Sequence, residues 1–264
     1  MTTTLMTILL FKITDVLGKN LIEKSVPEAR IVGGSYAQNH KYQFIVSIRY
    51  GFKEQHGCGG TILGPNVVLT AAHCLYLRDP ISVRYGSNNL LENNVRNVII
   101  YGIYHHDYNP KTFRNDIAVL HLRDTIKFCE SVKPVVLGKL KSLHQPVEVV
   151  GWGSVNPKDP ISISNELKVV EMRALYPRNC KKQMAKKYKS LIFSTHICTR
   201  GTRGRGDCQG DSGGPLLDKN ENQIGIVSWG VSCANKSPNI YTNVEPYFTW
   251  LKDKTKINLN IDNK

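Results

Sequence analysis

The chain has 264 residues, 41% of them hydrophobic, enough for one large domain or two packed subdomains around a buried core. Thirty-five Lys and Arg against 21 Asp and Glu give a formal net charge of +14, but the positive charge reads as spread along the chain. No zinc-finger, RNA-recognition or basic-zipper motif accompanies it, which argues against a nucleic-acid partner and leaves a solvated basic surface. No apolar run reaches membrane-spanning length and no internal repeat occurs, so spanning and solenoid classes are set aside.

The chain opens on Leu5-Met6-Thr7-Ile8-Leu9-Leu10-Phe11, a short apolar core expected to be a signal peptide, although no basic residue precedes it and no small-residue cleavage site follows. Arg30-Ile31-Val32-Gly33-Gly34 reads either as a loop entering a strand or as a processing site. In the second case, cutting after Arg30 frees the α-amino group of Ile31, and a buried carboxylate must receive that charge, because an unpaired buried ammonium is too costly. Short β-branched and aromatic runs separated by turn residues then recur, as in Phe44-Ile45-Val46-Ser47-Ile48 and Gln223-Ile224-Gly225-Ile226-Val227-Ser228-Trp229. They predict a mostly antiparallel all-β protein.

Val67-Val68-Leu69-Thr70-Ala71-Ala72-His73-Cys74 carries a strand into a histidine mounted between small residues, with Cys74 available to tie it back to Cys58. A single His is most often structural; this one has a rigid mount. Asn115-Asp116-Ile117-Ala118-Val119-Leu120 sets a carboxylate at the head of an apolar strand, where it either caps a turn or accepts a hydrogen bond from His73 and fixes its tautomer. Cys180-Lys181-Lys182 through Lys189 reads as a basic helix or loop, solvated by default and otherwise suited to acidic or sulfated partners. Asp207-Cys208-Gln209-Gly210-Asp211-Ser212-Gly213-Gly214-Pro215 flanks one serine with glycines, so that the backbone can approach a substrate closely; the same residue types also make ordinary turns. Asp211 is the obvious carboxylate for a freed Ile31. Asn235-Lys236-Ser237 is a glycosylation sequon followed by Pro238. Seven widely spaced cysteines without a CxxC pair favour disulfides and an oxidising, extracellular compartment over metal ligation.

Arg30-Ile31-Val32-Gly33-Gly34, Cys58-Gly59-Gly60-Thr61-Ile62-Leu63, Leu69-Thr70-Ala71-Ala72-His73-Cys74, Asn115-Asp116-Ile117-Ala118-Val119-Leu120, Gly151-Trp152-Gly153, Gly210-Asp211-Ser212-Gly213-Gly214-Pro215 and Ser228-Trp229-Gly230 occur together and in this order. In this the chain resembles the chymotrypsin/trypsin family of serine peptidases, over about residues 31 to 251. The resemblance implies a leader and activation segment over residues 1–30 and a peptidase domain over residues 31–264. That domain would be two six-stranded antiparallel β-barrels, roughly residues 31–138 and 139–245, with a C-terminal helix at about 247–254.

The roles that the resemblance carries are those of the well-known serine peptidase triad. Ser212 would attack the peptide carbonyl, His73 would act as base and then acid, and Asp116 would orient His73. The N–H groups of Gly210 and Ser212 would hold the oxyanion. Ile31, freed after Arg30, would pair with Asp211, making activity bell-shaped in pH, limited below by protonation of His73 and above by deprotonation of Ile31. Disulfides are implied for Cys58 with Cys74, Cys180 with Cys198, and Cys208 with Cys233; Cys129 is left over, as a buried thiol or as the bond to another chain. Gly206, Asp207, Ser228, Gly230 and Asn239 would form the specificity pocket. Gly206 stands where trypsins place Asp, and Asn239 narrows the site, so chymotrypsin-like or mixed cleavage is expected over cleavage after Arg and Lys. Ser87, with Asn88, Asn89 and Glu92 after it, supplies too few carboxylates for the family's calcium loop, so neither metal nor cofactor is expected. Expected partners are protein or peptide substrates, an activating protease, and serpins or inhibitors presenting a substrate-like loop. The chain is expected to be a secreted monomer; the alternative is a non-catalytic cationic binding protein on the same scaffold.

Overall fold

The structure is a computed structural model that describes residues 33–76, 79–92, 95–156, 159–200, 205–233 and 236–262. The leader, Arg30, Ile31 and Asn235 of the sequon lie outside the described residues.

Among the described residues, fifteen strands carry the architecture. β1 (Ser35–Tyr36) is followed by β2 (Ile45–Tyr50), β3 (Gln55–Gly64), β4 (Val67–Thr70), β5 (Pro80–Tyr85), β6 (Val95–Tyr104) and β7 (Ala118–Leu122). Strands β2 to β7 close into a barrel in the order β2-β3-β4-β7-β6-β5, every pairing antiparallel. β2 and β4 are buried along their whole length, β2 with Ser47 and Arg49 included.

The second half holds β8 (Pro146–Gly151), β9 (Ser154–Asn156), β10 (Asp159–Ile163), β11 (Lys168–Leu175), β12 (His196–Thr199), β13 (Pro215–Leu217), β14 (Gln223–Trp229) and β15 (Asn239–Asn243). The order β11-β12-β15-β14-β13-β8, with β8 pairing back to β11 from Lys168↔Gly151 to Arg173↔Pro146, makes a second closed six-stranded ring. β1 adds to its outside through Ser35↔Val169 and Tyr36↔Lys168, and β9 and β10 form a separate hairpin. The expected pair of antiparallel barrels is thus what the chain forms.

Closing both sheets leaves the strand edges of the two rings paired. It also buries large side chains completely, among them Ile48, Ile62, Leu69 and Leu120 in the first barrel and Leu175 and Tyr241 in the second. Each contributes about 1.5–3 kcal/mol by leaving water. The C-terminal helix runs Phe248–Thr255 after a 3₁₀ turn at Glu245–Tyr247, buries Leu251, and ends on Lys256 in the left-handed conformation.

Three disulfides join Cys58 to Cys74, Cys180 to Cys198 and Cys208 to Cys233. Cys129 corrects one expectation: it is exposed rather than buried. Its backbone N–H and that of Val132 exchange bonds with each other's carbonyls at 3.0 and 3.2 Å, closing a tight surface turn that aims the thiol at Ser131 Oγ, 3.3 Å away.

Candidate active site

His73 opens a single helical turn, α1 (His73–Tyr76), where β4 ends. Ala71 and Ala72 before it are fully buried, so small side chains let the chain turn against the neighbouring loop. The Cys58–Cys74 bond ties the turn to β3, and Tyr50 Oη donates to the Cys74 carbonyl at 2.9 Å. The imidazole meets the edge of Phe113 at 5.8 Å between ring centroids.

Asp116 is completely buried, and its carboxylate is answered by three donors. His73 N–H reaches Oδ1 at 2.9 Å, His73 Nδ1–H reaches Oδ2 at 2.8 Å, and Ser228 Oγ–H reaches Oδ2 at 2.6 Å. A buried carboxylate is tolerated only when its lone pairs are filled in this way. The arrangement fixes the tautomer of neutral His73, with Nδ1 protonated toward the carboxylate. Thr242 Oγ1 donates to the Asp116 carbonyl at 2.9 Å, and Tyr247 Oη donates to Asn115 Oδ1 at 2.7 Å. Asp116 belongs to the first barrel, yet Ser228 on β14 holds its carboxylate and Thr242 on β15 its backbone carbonyl from the second.

Ser212 is held from the opposite direction. The N–H of Gly59, on β3, donates to the Ser212 carbonyl at 2.8 Å, and Gly213 N–H donates to Val227 at 2.9 Å. A Cβ at Gly213 would lie 2.1 Å from Thr70 Oγ1 and 2.6 Å from the Gly59 carbonyl, so only glycine lets the serine loop sit against the end of β4 that carries His73. Within this loop Asp211, Gly213 and Gly214 N–H groups all have acceptors. Among the described residues, the N–H groups of Gly210 and Ser212 have none. Two unspent donors beside a serine are what an oxyanion requires.

Asp211 turns its carboxylate inward, where Gly153 N–H meets Oδ1 at 2.8 Å and Cys208 N–H meets Oδ2 at 2.9 Å. Burial, with the Asp207 charge adding to it against those two bonds, pushes its pKa up to about 7. A Cβ on either Gly151 or Gly153 would come within 2.2 Å of this carboxylate, which gives Gly151-Trp152-Gly153 a physical purpose: it walls the carboxylate site.

The sequence reading missed His56. Its Nε2–H donates to the Gly210 carbonyl at 2.9 Å, while Nδ1 accepts from Ser47 Oγ at 2.7 Å. Burial holds this histidine near a pKa of about 4, so it is a neutral brace for the serine loop. The available signal was a histidine two residues before Cys58 in a strand that runs under that loop.

Asp207, Ser228, Gly230 and Asn239 line a cavity of about 200 Å³ together with Ser212; Gly206 is buried but is not part of its lining. Asp207 Oδ1 accepts from Asn239 Nδ2 at 2.5 Å and from Tyr241 Oη, and burial raises its pKa. Asn239 Oδ1 lies 3.2 Å from where a Gly230 Cβ would stand, so the amide reaches across the cavity. In the loop after Gly86, Ser87 Oγ donates to Glu92 and Asn89 Nδ2 to Glu166 at 2.6 Å, which engages both carboxylates.

The sequence model of the Trypsin family matches residues 31–251. The chain belongs to the trypsin family. Among its relatives are Chymotrypsin-2 of Vespa crabro, 36% identical over 84% of this chain and 98% of the relative, and Serine protease 28 of Mus musculus, 34% identical over 87% and 90%. Trypsin alpha of Drosophila erecta is 32% identical over 92% of this chain and 95% of the relative. As a member of the trypsin family this protein is a serine endopeptidase that hydrolyses peptide bonds in protein substrates. Among the described residues, no helix is long and apolar enough to cross a membrane.

Proposed function

We propose that Ser212, His73 and Asp116 form the catalytic triad of a secreted zymogen switched on by cleavage between Arg30 and Ile31. His73 Nε2 takes the Ser212 proton as Oγ attacks the scissile carbonyl. The imidazolium is stabilised by Asp116 and returns its proton to the leaving amine. The N–H groups of Gly210 and Ser212 receive the oxyanion, a contribution of about 3–4 kcal/mol for each donor. Water then repeats the sequence on the acyl-enzyme. The observation that carries this reading is the buried Asp116 carboxylate with three donors, two of them from His73. An activated preparation of Ser212→Ala should fold with its disulfides intact and lose peptide hydrolysis; full turnover by that variant removes the assignment.

For activation, the support is the Asp211 carboxylate, buried beside two N–H donors with no cation paired to it among the described residues. The freed Ile31 amine is the group that would neutralise it and hold the adjacent serine loop. A fluorophosphonate probe should label Ser212 only after Arg30 is cut. Equal labelling of uncut protein overturns the switch, and no labelling of cut protein restores the alternative of a non-catalytic cationic binder.

For specificity, Asp207 is engaged by Asn239 and Tyr241 rather than left open to a substrate cation. With Asn239 across a cavity of about 200 Å³, this favours uncharged side chains of moderate size before the cleaved bond. Digestion of a peptide library tests it: exclusive cleavage after Arg and Lys would instead establish trypsin-like specificity. An enzyme with the proposed preference depends on a separate protease to cut at Arg30. The apolar N-terminal run, with the disulfides, supports secretion, and serpins and inhibitors that present a substrate-like loop are the partners such an enzyme would meet.

A further inference from the structure

The net positive charge is not spread along the chain, as the sequence had suggested. Between Glu171 and Asp207 ten residues are basic and none is acidic, which leaves the rest of the chain close to balance. The fold turns the densest part of this segment into a surface. Helix α2 (Pro177–Gln183) and the 3₁₀ helix Lys186–Leu191 lay Cys180, Met184, Ile192 and the half-buried Tyr188 onto one apolar cluster, and the Cys180–Cys198 disulfide pins them to β12. The opposite side is exposed and carries Lys181, Lys182, Lys186, Lys187 and Lys189, with Arg178 in front. Arg178, Lys181 and Lys182 share one face of α2 by their three- and four-residue spacing, and Lys186 and Lys189 eclipse in the 3₁₀ helix.

Among the described residues, none of these six cations pairs with a carboxylate; Glu171, the nearest acidic residue in sequence before them, pairs with Arg173 at 3.4 Å. A place at the C-terminal end of α2 favours Lys181 and Lys182. It does not account for Lys186, Lys187 and Lys189, which extend the row past that helix. Like charges held this close repel, and an external anion relieves the repulsion.

We propose that this platform binds a sulfated polysaccharide. A protein partner would need aromatic or aliphatic anchors at the centre of the interface, where lysine is depleted; among the described residues from Glu171 to Thr199, the large apolar side chain that is exposed is Tyr176, at the edge. A single-stranded nucleic acid would need a row of aromatic rings on which to stack. Five lysines within nine residues instead supply point charges on flexible stems, suited to sulfates spaced along a chain. The platform also adjoins the cavity beside Ser212, because Trp229 and Val231 pack on its apolar underside and line that cavity.

The test uses the activated full chain and a heparin-derived dodecasaccharide as the probe. Affinity should fall by about two orders of magnitude between about 50 and about 200 mM salt, as expected when around five cations release counterions. Lys186→Glu/Lys187→Glu/Lys189→Glu should bind at least about tenfold more weakly at fixed salt. Lys111→Glu/Lys133→Glu/Lys219→Glu, the same change in net charge at exposed sites elsewhere, should lose less than about threefold. Turnover of a short peptide should be unchanged in both. Equal losses in the two triple variants would mean that only whole-molecule charge matters. Binding of a poly-glutamate peptide or a DNA duplex as tight as that of the dodecasaccharide would overturn the choice of ligand.

Discussion

Replacing Gly153 by alanine tests the link between the carboxylate site and catalysis. The added methyl would sit 2.2 Å from Oδ2, 2.4 Å from Cγ and 2.6 Å from Oδ1 of Asp211, well inside contact distance. Gly151 and the Cys208 N–H confine the same carboxylate, so it has to leave the site. It then forfeits two hydrogen bonds to a charged group, at 2.8 and 2.9 Å. At about 1.5–3 kcal/mol each, the loss is about 3–6 kcal/mol. Asp211 is bonded directly to Ser212, and its carbonyl accepts Gly214 N–H at 2.9 Å, so the displacement reaches the donors meant for the oxyanion. If the whole loss falls on the transition state, kcat of the Arg30-cleaved protein drops by about 10²- to 10⁴-fold. Active-site titration and steady-state peptide hydrolysis measure this, with circular dichroism as the check on folding. A folded variant that keeps kcat within about threefold of the parent refutes the reasoning.

Two further outcomes follow from charges in the same region. Burial raises the Asp211 pKa from 3.8 to about 7, so in the uncut chain its contribution is fully present below about pH 4 and is lost as pH rises through about 7. That loss amounts to about 4 kcal/mol. Pairing with Ile31 removes it in the cut chain, so urea unfolding of the two forms should diverge as pH rises from about 4 to about 8, and parallel curves would exclude the pairing. Asn239→Gly withdraws the amide from Asp207 and opens the cavity near Gly230. The ratio of kcat/KM for Lys or Arg against Tyr or Leu substrates should rise about tenfold, and an unchanged or smaller ratio contradicts the proposed role of that amide.

The all-β character was legible in short β-branched and aromatic runs set between turn residues, whereas the closing of those strands into two barrels was implied by the family resemblance and not by the runs themselves. Ser212, His73 and Asp116 stood out because each sits in a local pattern with a mechanical meaning. Other parts depend on contacts between distant segments, which spacing cannot display. His56 meets Gly210 across 154 residues and Ser228 meets Asp116 across 112, and neither carries a local signature of that contact. Gly151-Trp152-Gly153 was recognisable as a pattern, but its purpose appears only with the Asp211 carboxylate between the glycines. Cys129 was read as a buried thiol or as the bond to another chain, the first because cysteine is commonly buried, and a surface turn outweighed that tendency. The basic segment was visible in the sequence as lysines, but which of them face water together depends on how Cys180 and Met184 anchor the two short helices.

The crossed grip on the proposed triad, in which β14 and β15 hold Asp116 while β3 holds Ser212, makes that site a fastener between the barrels as well as their product. Neither half contains a complete site, and neither can retain its share once the seam opens. A perturbation that parts the halves therefore abolishes hydrolysis at that moment, and residual activity of the cut wild-type chain marks molecules whose seam is still closed.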